Sequence, residues 1–218
     1  MLYCTDADLL HWQPDVFREA AWASHTLIGG ANGALIDTSF TAGGAAFADA
    51  GVEPGCVLTI DGDAAISVPI TAVAGATLTV SAISRTLDEA APTPVAPRPT
   101  PGTLTYAVRT FWAQRRVASE LIDAAAGVRA DGTVRGRAGR ILPSAPLRHV
   151  CALGTLQMIY TTLAAVSTEG QPEFDLRARL YHRLFRRHLR GTHVEIDFNN
   201  DGRADCRRSL GVIECVRA

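Results

Sequence analysis

Two periodicities divide the chain. Apolar positions recur every three to four residues in its first and last parts, and every second residue in the stretch between them. The clearest helical pattern is EFDLRARLYHRLFRRHLR, residues 173–190. Leu176, Leu180, Tyr181, Leu184, Phe185 and Leu189 form one stripe, and Arg177, Arg179, Arg183, Arg186, Arg187 and Arg190 fill the positions between them. Pro172 suits the first helical position, Glu173 and Asp175 occupy the first turn and Gly191 follows the last, in keeping with the sign of the macrodipole. The spacing predicts an amphipathic helix with one face on a core. Its arginine face is either solvated or docks a partner.

Upstream, Ser144 opens a helix to about Thr168 that is apolar nearly all round, through Leu147, Val150, Leu153, Leu156, Ile159 and Leu163, as befits the centre of a bundle. Its apolar run is broken by Gln157 and small or hydroxylated residues, so it reads as buried and not as a membrane span. A further helix is expected from Thr103 or Thr105 to Ala126, with Leu104, Val108, Phe111, Ala118, Leu121, Ile122 and Ala125 on one face and Gly127 as its stop. Near the start, Thr5 and Asp8 make a capping box ahead of Leu9 and Leu10. A second start at Pro14 predicts a helix with Val16, Phe17, Ala20 and Ala21 inward.

Between Leu27 and Ile83 the period falls to two, in the runs GALIDTSF, CVLTIDG, AISVPITAVAG and ATLTVSAI. Gly43-Gly44, GVEPG at 51–55, Asp61-Gly62-Asp63 and Ala74-Gly75 supply turns, Asp61-Gly62 being the best hairpin. Residues 86–102 hold Pro92, Pro94, Pro97, Pro99 and Pro101 and read as an extended connector. Residues 128–143, VRADGTVRGRAGRILP, read as an unpacked loop that orders against a partner. Towards the end, Val194, Ile196 and Phe198 alternate as a strand, Asn200-Asp201-Gly202 turns it, and Gly211 to Val216 is expected to be its partner.

The expected fold is therefore α+β: a bundle of four to five helices with an inserted small antiparallel β-barrel or sandwich and a C-terminal β-hairpin tail. Residues 1–26 are assigned to the bundle, 27–85 to the β-module, 86–102 to the linker, 103–191 to the bundle again and 192–218 to the tail.

Charge sharpens this division. The net charge is −1 over 218 residues. Residues 1–97 nevertheless hold two arginines against eleven acids, a balance of −9, and residues 98–218 hold nineteen arginines against eleven acids, a balance of +8. No lysine occurs, so the basic charge is all guanidinium, which suits forked contacts with carboxylates and phosphates. Opposed halves suit subunits meeting side by side, or a second protein of opposite sign, better than free nucleic acid. Asp6, Asp8 and His11 interrupt any apolar leader, so a cytoplasmic product is expected. Five scattered cysteines without CxxC spacing argue against a zinc site or disulfide scaffold and for reduced, half-buried thiols.

Candidate chemistry is sparse. Asp197, Asn199, Asp201 and Asp205, with Gly202 at the sixth position, match the first nine positions of a calcium loop, but Arg208 stands where the twelfth-position acid belongs. The segment is read two ways, as a calcium site or as an Asx-rich turn closed by its own side chains. No GxSxG, HExxH or cysteine-nucleophile signature occurs and the six histidines show no ligand spacing, so no enzyme and no cofactor other than calcium is expected.

The TDADL start, the arginine-rich last long helix and the tail IDFNNDGRADCRRSLGVIECVRA resemble the head-to-tail connector adaptor proteins of long-tailed bacteriophages and gene transfer agents. The β-module, through FTAGGAAFADAGVEPGCVLTI and ITAVAGATLTVSAI, is similar to small barrels inserted into phage structural proteins. The resemblance implies a virion structural protein at the neck, assembled in the bacterial cytoplasm. Its partners would be the portal protein above, a tail-side stopper or terminator below, and further copies of itself in a twelve-membered ring. DNA would pass through the channel without sequence-specific binding, and no membrane is involved. Carried to this chain, Arg207, Arg208, Ile213, Val216 and Arg217 would contact the portal. Arg179, Arg183, Arg186, Arg187 and Arg190 would lie at the subunit boundary. The rivals are a stopper or tail terminator and a calcium-dependent binding module.

Overall fold

A computed structural model describes residues 2–62, 65–82, 96–97, 100–128, 132–134, 137–166 and 172–211. The chain packs as two compact units, Thr5–Trp112 and Met1–Cys4 with Ala113–Ala218. Among the described residues, five α-helices, a closed six-stranded antiparallel barrel and small sheets make the fold α+β, as expected.

In the first unit the barrel strands are β1 (Thr26–Ile36), β2 (Ser39–Ala42), β3 (Val57–Ile60), β4 (Ile66–Ala74), β5 (Thr77–Val80) and β6 (Thr100–Arg109), closing in the order β1-β2-β5-β4-β3-β6. The run GALIDTSF is a hairpin in itself, turning at Asp37, whose φ is 51°. Asp61-Gly62 lies between the paired strands β3 and β4, as its turn chemistry predicts.

The sixth strand corrects the helix expected from Thr103. Leu104 and Val108 fit both a four-residue and a two-residue period. Tyr106 joins them inward, the three being 5 %, 0 % and 4 % exposed for Leu104, Val108 and Tyr106. What decides is that β1 and β3 would otherwise be open edges, and β6 pairs with both. The interior is filled by Phe40, Phe47, Leu58, Ile60, Ile70 and Leu78, all fully buried. Each such side chain contributes about 1.5–3 kcal/mol. Phe40 lies edge-on to Tyr106 at 4.9 Å. Its ring also covers Gly33, where a Cβ would come within 2.5 Å of it, so only glycine fits there.

The N-terminal helices belong with this barrel and not with the bundle. Helix α1 (Asp6–Trp12) opens on the expected capping box, the Thr5 amide donating to the Asp8 carboxylate at 2.7 Å. Ala7 N–H donates to Gly55 O at 3.0 Å. Buried Asp6 accepts from the Thr110 hydroxyl at 2.7 Å and the Phe111 amide at 2.9 Å. Helix α2 is a single turn, Val16–Glu19, with Phe17 4.8 Å from the Phe111 ring. The longer helix expected from Pro14 ends there, because a 3₁₀ turn at Ala23–His25 leads into β1.

The second unit holds α3 from Ala113 (the whole helix is Trp112–Ala126), α4 (Ala145–Val166) and α5 (Pro172–Gly191), so the bundle has three helices among the described residues. Helix α4 is its centre: Leu147, Val150, Leu153, Leu156, Ile159 and Tyr160 are fully buried. It is the one described helix long and apolar enough to cross a membrane, and 56 % of that window is buried inside the protein. Gly154 sets the helix spacing, since a Cβ there would lie 2.9 Å from the Phe185 ring of α5 and 3.3 Å from Ala118 Cβ of α3. Tyr160 stacks on Tyr181 with ring centroids 5.5 Å apart.

The segment 128–143 packs more than its composition suggests. It supplies a ribbon of β7 (Thr133–Val134) and β8 (Arg137–Ala138), and an edge strand, β9 (Arg140–Ile141), on the tail sheet β11-β10-β9. Val134 and Ile141 are buried. In the tail, β10 (His193–Asp197) is the expected strand, but its partner β11 is Cys206–Ser209 and not Gly211 to Val216. Gly211 lies in a turn, and residues 212–216 lie outside those described, as do most of the proline-rich segment and the expected strand end at Ile83.

Candidate functional site

Helix α5 begins at Pro172, as its cap chemistry dictates, but its inward stripe is narrower than its apolar pattern. Ala178, Tyr181 and Phe185 are buried, whereas Leu176 is 65 % and Leu180 44 % exposed. The reason lies in α4: Gly154 and Tyr160 present a close, narrow seam that one row of α5 residues fills. Leu176 and Leu180 are therefore left on the surface with Arg179, Arg183, Arg186, Arg187 and Arg190, all exposed. Arg179 pairs with Asp175 one turn earlier at 2.8 Å, an exposed bridge that contributes little to stability. Beside this row a groove of about 850 Å³ runs between α4 and α5, lined by Gln157, Ala164, Leu176, Arg179, His182 and Arg183. Leu176 and Leu180 thus leave apolar area in water beside a row of guanidinium charge.

Members of the two arginine sets expected to serve different partners meet in space. Arg186 and Arg190 of α5 and Arg208 of β11 line one cleft of roughly 480 Å³ with Leu121, Leu189 and Leu210. Arg208 is half-buried, and its Nη1 donates to Ala126 O at 2.8 Å, closing the C-terminal end of α3. Gly127 is favoured there by its φ of 75°, a left-handed conformation that side chains rarely adopt, and a Cβ would also displace the Arg208 guanidinium. Arg207 is exposed and stands across the sheet from Glu195. Ile213, Val216 and Arg217 lie outside the described residues.

At the Asp197 loop the polar atoms are largely engaged by the chain itself. Asp197 is buried, its Oδ1 accepting from the amides of Asn199 at 3.2 Å and Asn200 at 2.6 Å, and its Oδ2 from Gly202 at 2.9 Å. Arg140 Nη2 approaches the same carboxylate at 3.3 Å from the neighbouring strand. Desolvation pushes this carboxyl up, but the amides of Gly202 and Asn200 and the Arg140 charge outweigh it and hold the pKa below the usual aspartate value. Asn199 Oδ1 accepts from the Asp201 amide, Asp201 Oδ1 from the Arg203 amide, and Asp205 Oδ2 from the Phe198 amide at 2.7 Å. This is the network of an Asx-rich turn. Among the described residues no group of three or more His, Cys, Asp or Glu side chains is placed to hold a metal ion.

Sequence reading missed a partly buried polar pair on the opposite side of α3. The Tyr3 hydroxyl donates to Asp123, and both groups border a cleft of roughly 560 Å³ with Arg116, Glu120 and Arg140. Burial raises the Asp123 carboxyl above its usual range, and the Tyr3 hydrogen bond works against that rise. Burial and the neighbouring carboxylate keep the Tyr3 phenol protonated. Nothing in the local sequence marks this pair, whose members are 120 positions apart. Comparison with protein-family models, with curated proteins and with solved structures finds no match for this chain.

Proposed function

We propose that this chain is a virion structural protein, a head-to-tail connector adaptor that works by assembling into a ring. The observation that carries the reading is the exposed row on α5, where Leu176 and Leu180 stand in water among five exposed arginines. Two large apolar side chains on the same helical face gain from being covered, and the arginines favour an acidic cover. On an adjoining copy, the exposed Asp37, Asp49, Glu53 and Asp61 of the acidic part of the chain would supply such a cover. A contact between unlike faces is heterologous and closes into a ring when the rotation per copy divides the circle. In this reading the ring has twelve copies, binds the portal through Arg207 and the terminal segment, receives a stopper or terminator below, and lets DNA pass without reading its sequence.

The test is electron microscopy of particles from a producer whose reading frame for this chain is disrupted. Unstable, tailless heads beside complete free tails are the expected result. Normal particles would overturn the reading. Purified protein with Leu176→Glu and Leu180→Glu together should lose any ring seen with the unaltered chain while keeping its helical circular dichroism, since neither leucine is buried.

A further inference from the structure

Cys4 and Cys151 are 147 positions apart in sequence, yet their sulfurs are 2.8 Å apart, the Cys4 thiol donating to Cys151 Sγ. Both are reduced and buried, at 4 % and 0 % exposure, and both belong to the helical unit. Only about 0.8 Å separates this distance from that of bonded sulfurs, a gap that small torsions of two side chains close.

The surroundings hold the pair in place. Ser119 Oγ lies 3.4 Å from Cys151 Sγ, donates to Arg115 O at 2.8 Å and accepts the Tyr3 amide at 3.2 Å. Arg115 Nη1 donates to Cys4 O at 3.0 Å. The segment Tyr3–Cys4 is thereby pinned on α3 with its thiol facing α4. The hydrogen bond from Cys4 draws the Cys151 thiol pKa down, against the opposing effect of burial and with help from Ser119. Two thiols this close have the chemistry of a dithiol.

We infer that Cys4 and Cys151 are an oxidative modification site, closing to an intramolecular disulfide when a peroxide reaches them. The Cys151 thiolate attacks one peroxide oxygen, the O–O bond breaks, and hydroxide leaves with a proton as water, giving a sulfenic acid. The Cys4 thiolate then attacks the Cys151 sulfur and expels a second hydroxide, which also leaves as water. Two thiols and one hydrogen peroxide thus give one disulfide and two waters, with the two sulfurs oxidised and the two peroxide oxygens reduced. Hydrogen peroxide is small enough for this enclosed site, where a bulkier disulfide oxidant would need the segment to lift. The chain passes directly from Cys4 into the barrel unit and returns at Ala113. The bond would therefore tie the segment just before that crossing covalently to α4. The inference stands apart from the connector reading.

The test is to treat the full chain with hydrogen peroxide, block remaining thiols in denaturant, and map it with trypsin without reductant. Cleavage at Arg18, Arg148 and Arg177 places the two cysteines on the peptides 1–18 and 149–177. The expected result is those peptides joined, with a mass about 2 Da below their sum and a link broken by dithiothreitol. The free-thiol count should fall from five to three. Cys206→Ser should leave the joined pair unchanged, and Cys4→Ser should abolish it. Five blocked thiols after treatment, or separate sulfinic acids at Cys4 and Cys151 in the unaltered chain, would overturn the proposal whether or not either variant folds.

Discussion

Gly154 offers the sharpest test of how the helical unit is packed. Replacing it by alanine sets two effects against each other. Removing glycine from a helix interior gains about 1 kcal/mol. The new Cβ, however, would meet the Phe185 ring at 2.9 Å and Ala118 Cβ at 3.3 Å, and overpacking of this kind costs about 1–3 kcal/mol. Gly154→Ala should therefore be destabilising by roughly 0–2 kcal/mol in place of the gain expected at an open site. Gly154→Val adds two methyl groups that neither neighbour can admit, and should cost about 3 kcal/mol or more. Thr161→Val, on an exposed position of the same helix, is the control and should stay within about 0.5 kcal/mol. Urea unfolding followed by circular dichroism measures all three. Combining Gly154→Val with Phe185→Ala should recover about 1–2 kcal/mol relative to the sum of the single changes, because the truncated ring makes the space. A stabilised Gly154→Ala, or an additive cycle with Phe185→Ala, would show that α4 and α5 do not cross at this glycine.

Asp6→Ala should lower stability by about 2–4 kcal/mol in urea unfolding, because the buried Phe111 amide and the Thr110 hydroxyl lose their acceptor. Unfolding midpoints between acid and neutral pH should separate two carboxyls with opposite signs. For Asp123, whose native pKa is raised, stability falls as pH climbs from the unfolded value of about 4 through the native one, and Asp123→Asn should remove that fall. For Asp197, whose native pKa is lowered, the contribution is present above the unfolded value and lost as pH drops through the native one, so Asp197→Asn should flatten the acid limb. Titration with calcium at millimolar concentration should give no heat and no shift of melting temperature, since Asp197 is spent on three amides and an arginine. Binding that disappears in Asp201→Ala would instead support the calcium reading.

Sequence by itself determined the local elements whose chemistry is complete within a few residues. The capping box at Thr5 and Asp8, the start of α5 at Pro172, the Asp61-Gly62 turn and the strand at Val194 to Ile196 all lie where propensity and spacing place them. The α+β class followed from the change of period near Leu27. Tertiary structure decided whatever depended on a partner distant in sequence. Leu104 and Val108 suit a helix or a strand equally, and only the open edges of β1 and β3 make them a strand. Val16 and Phe17 want burial but do not specify where, and the barrel took them because Asp6 is tied to Thr110 and Phe111. Arg140 lost its apparent freedom to Asp197. Leu176 and Leu180 belong to an apolar stripe in one dimension, yet the narrow seam at Gly154 leaves them outside. The thiols of Cys4 and Cys151 carry no spacing signal, because only the fold brings residues so far apart into contact. Periodicity reports which side chains seek burial; which surface receives them is a property of the assembled chain.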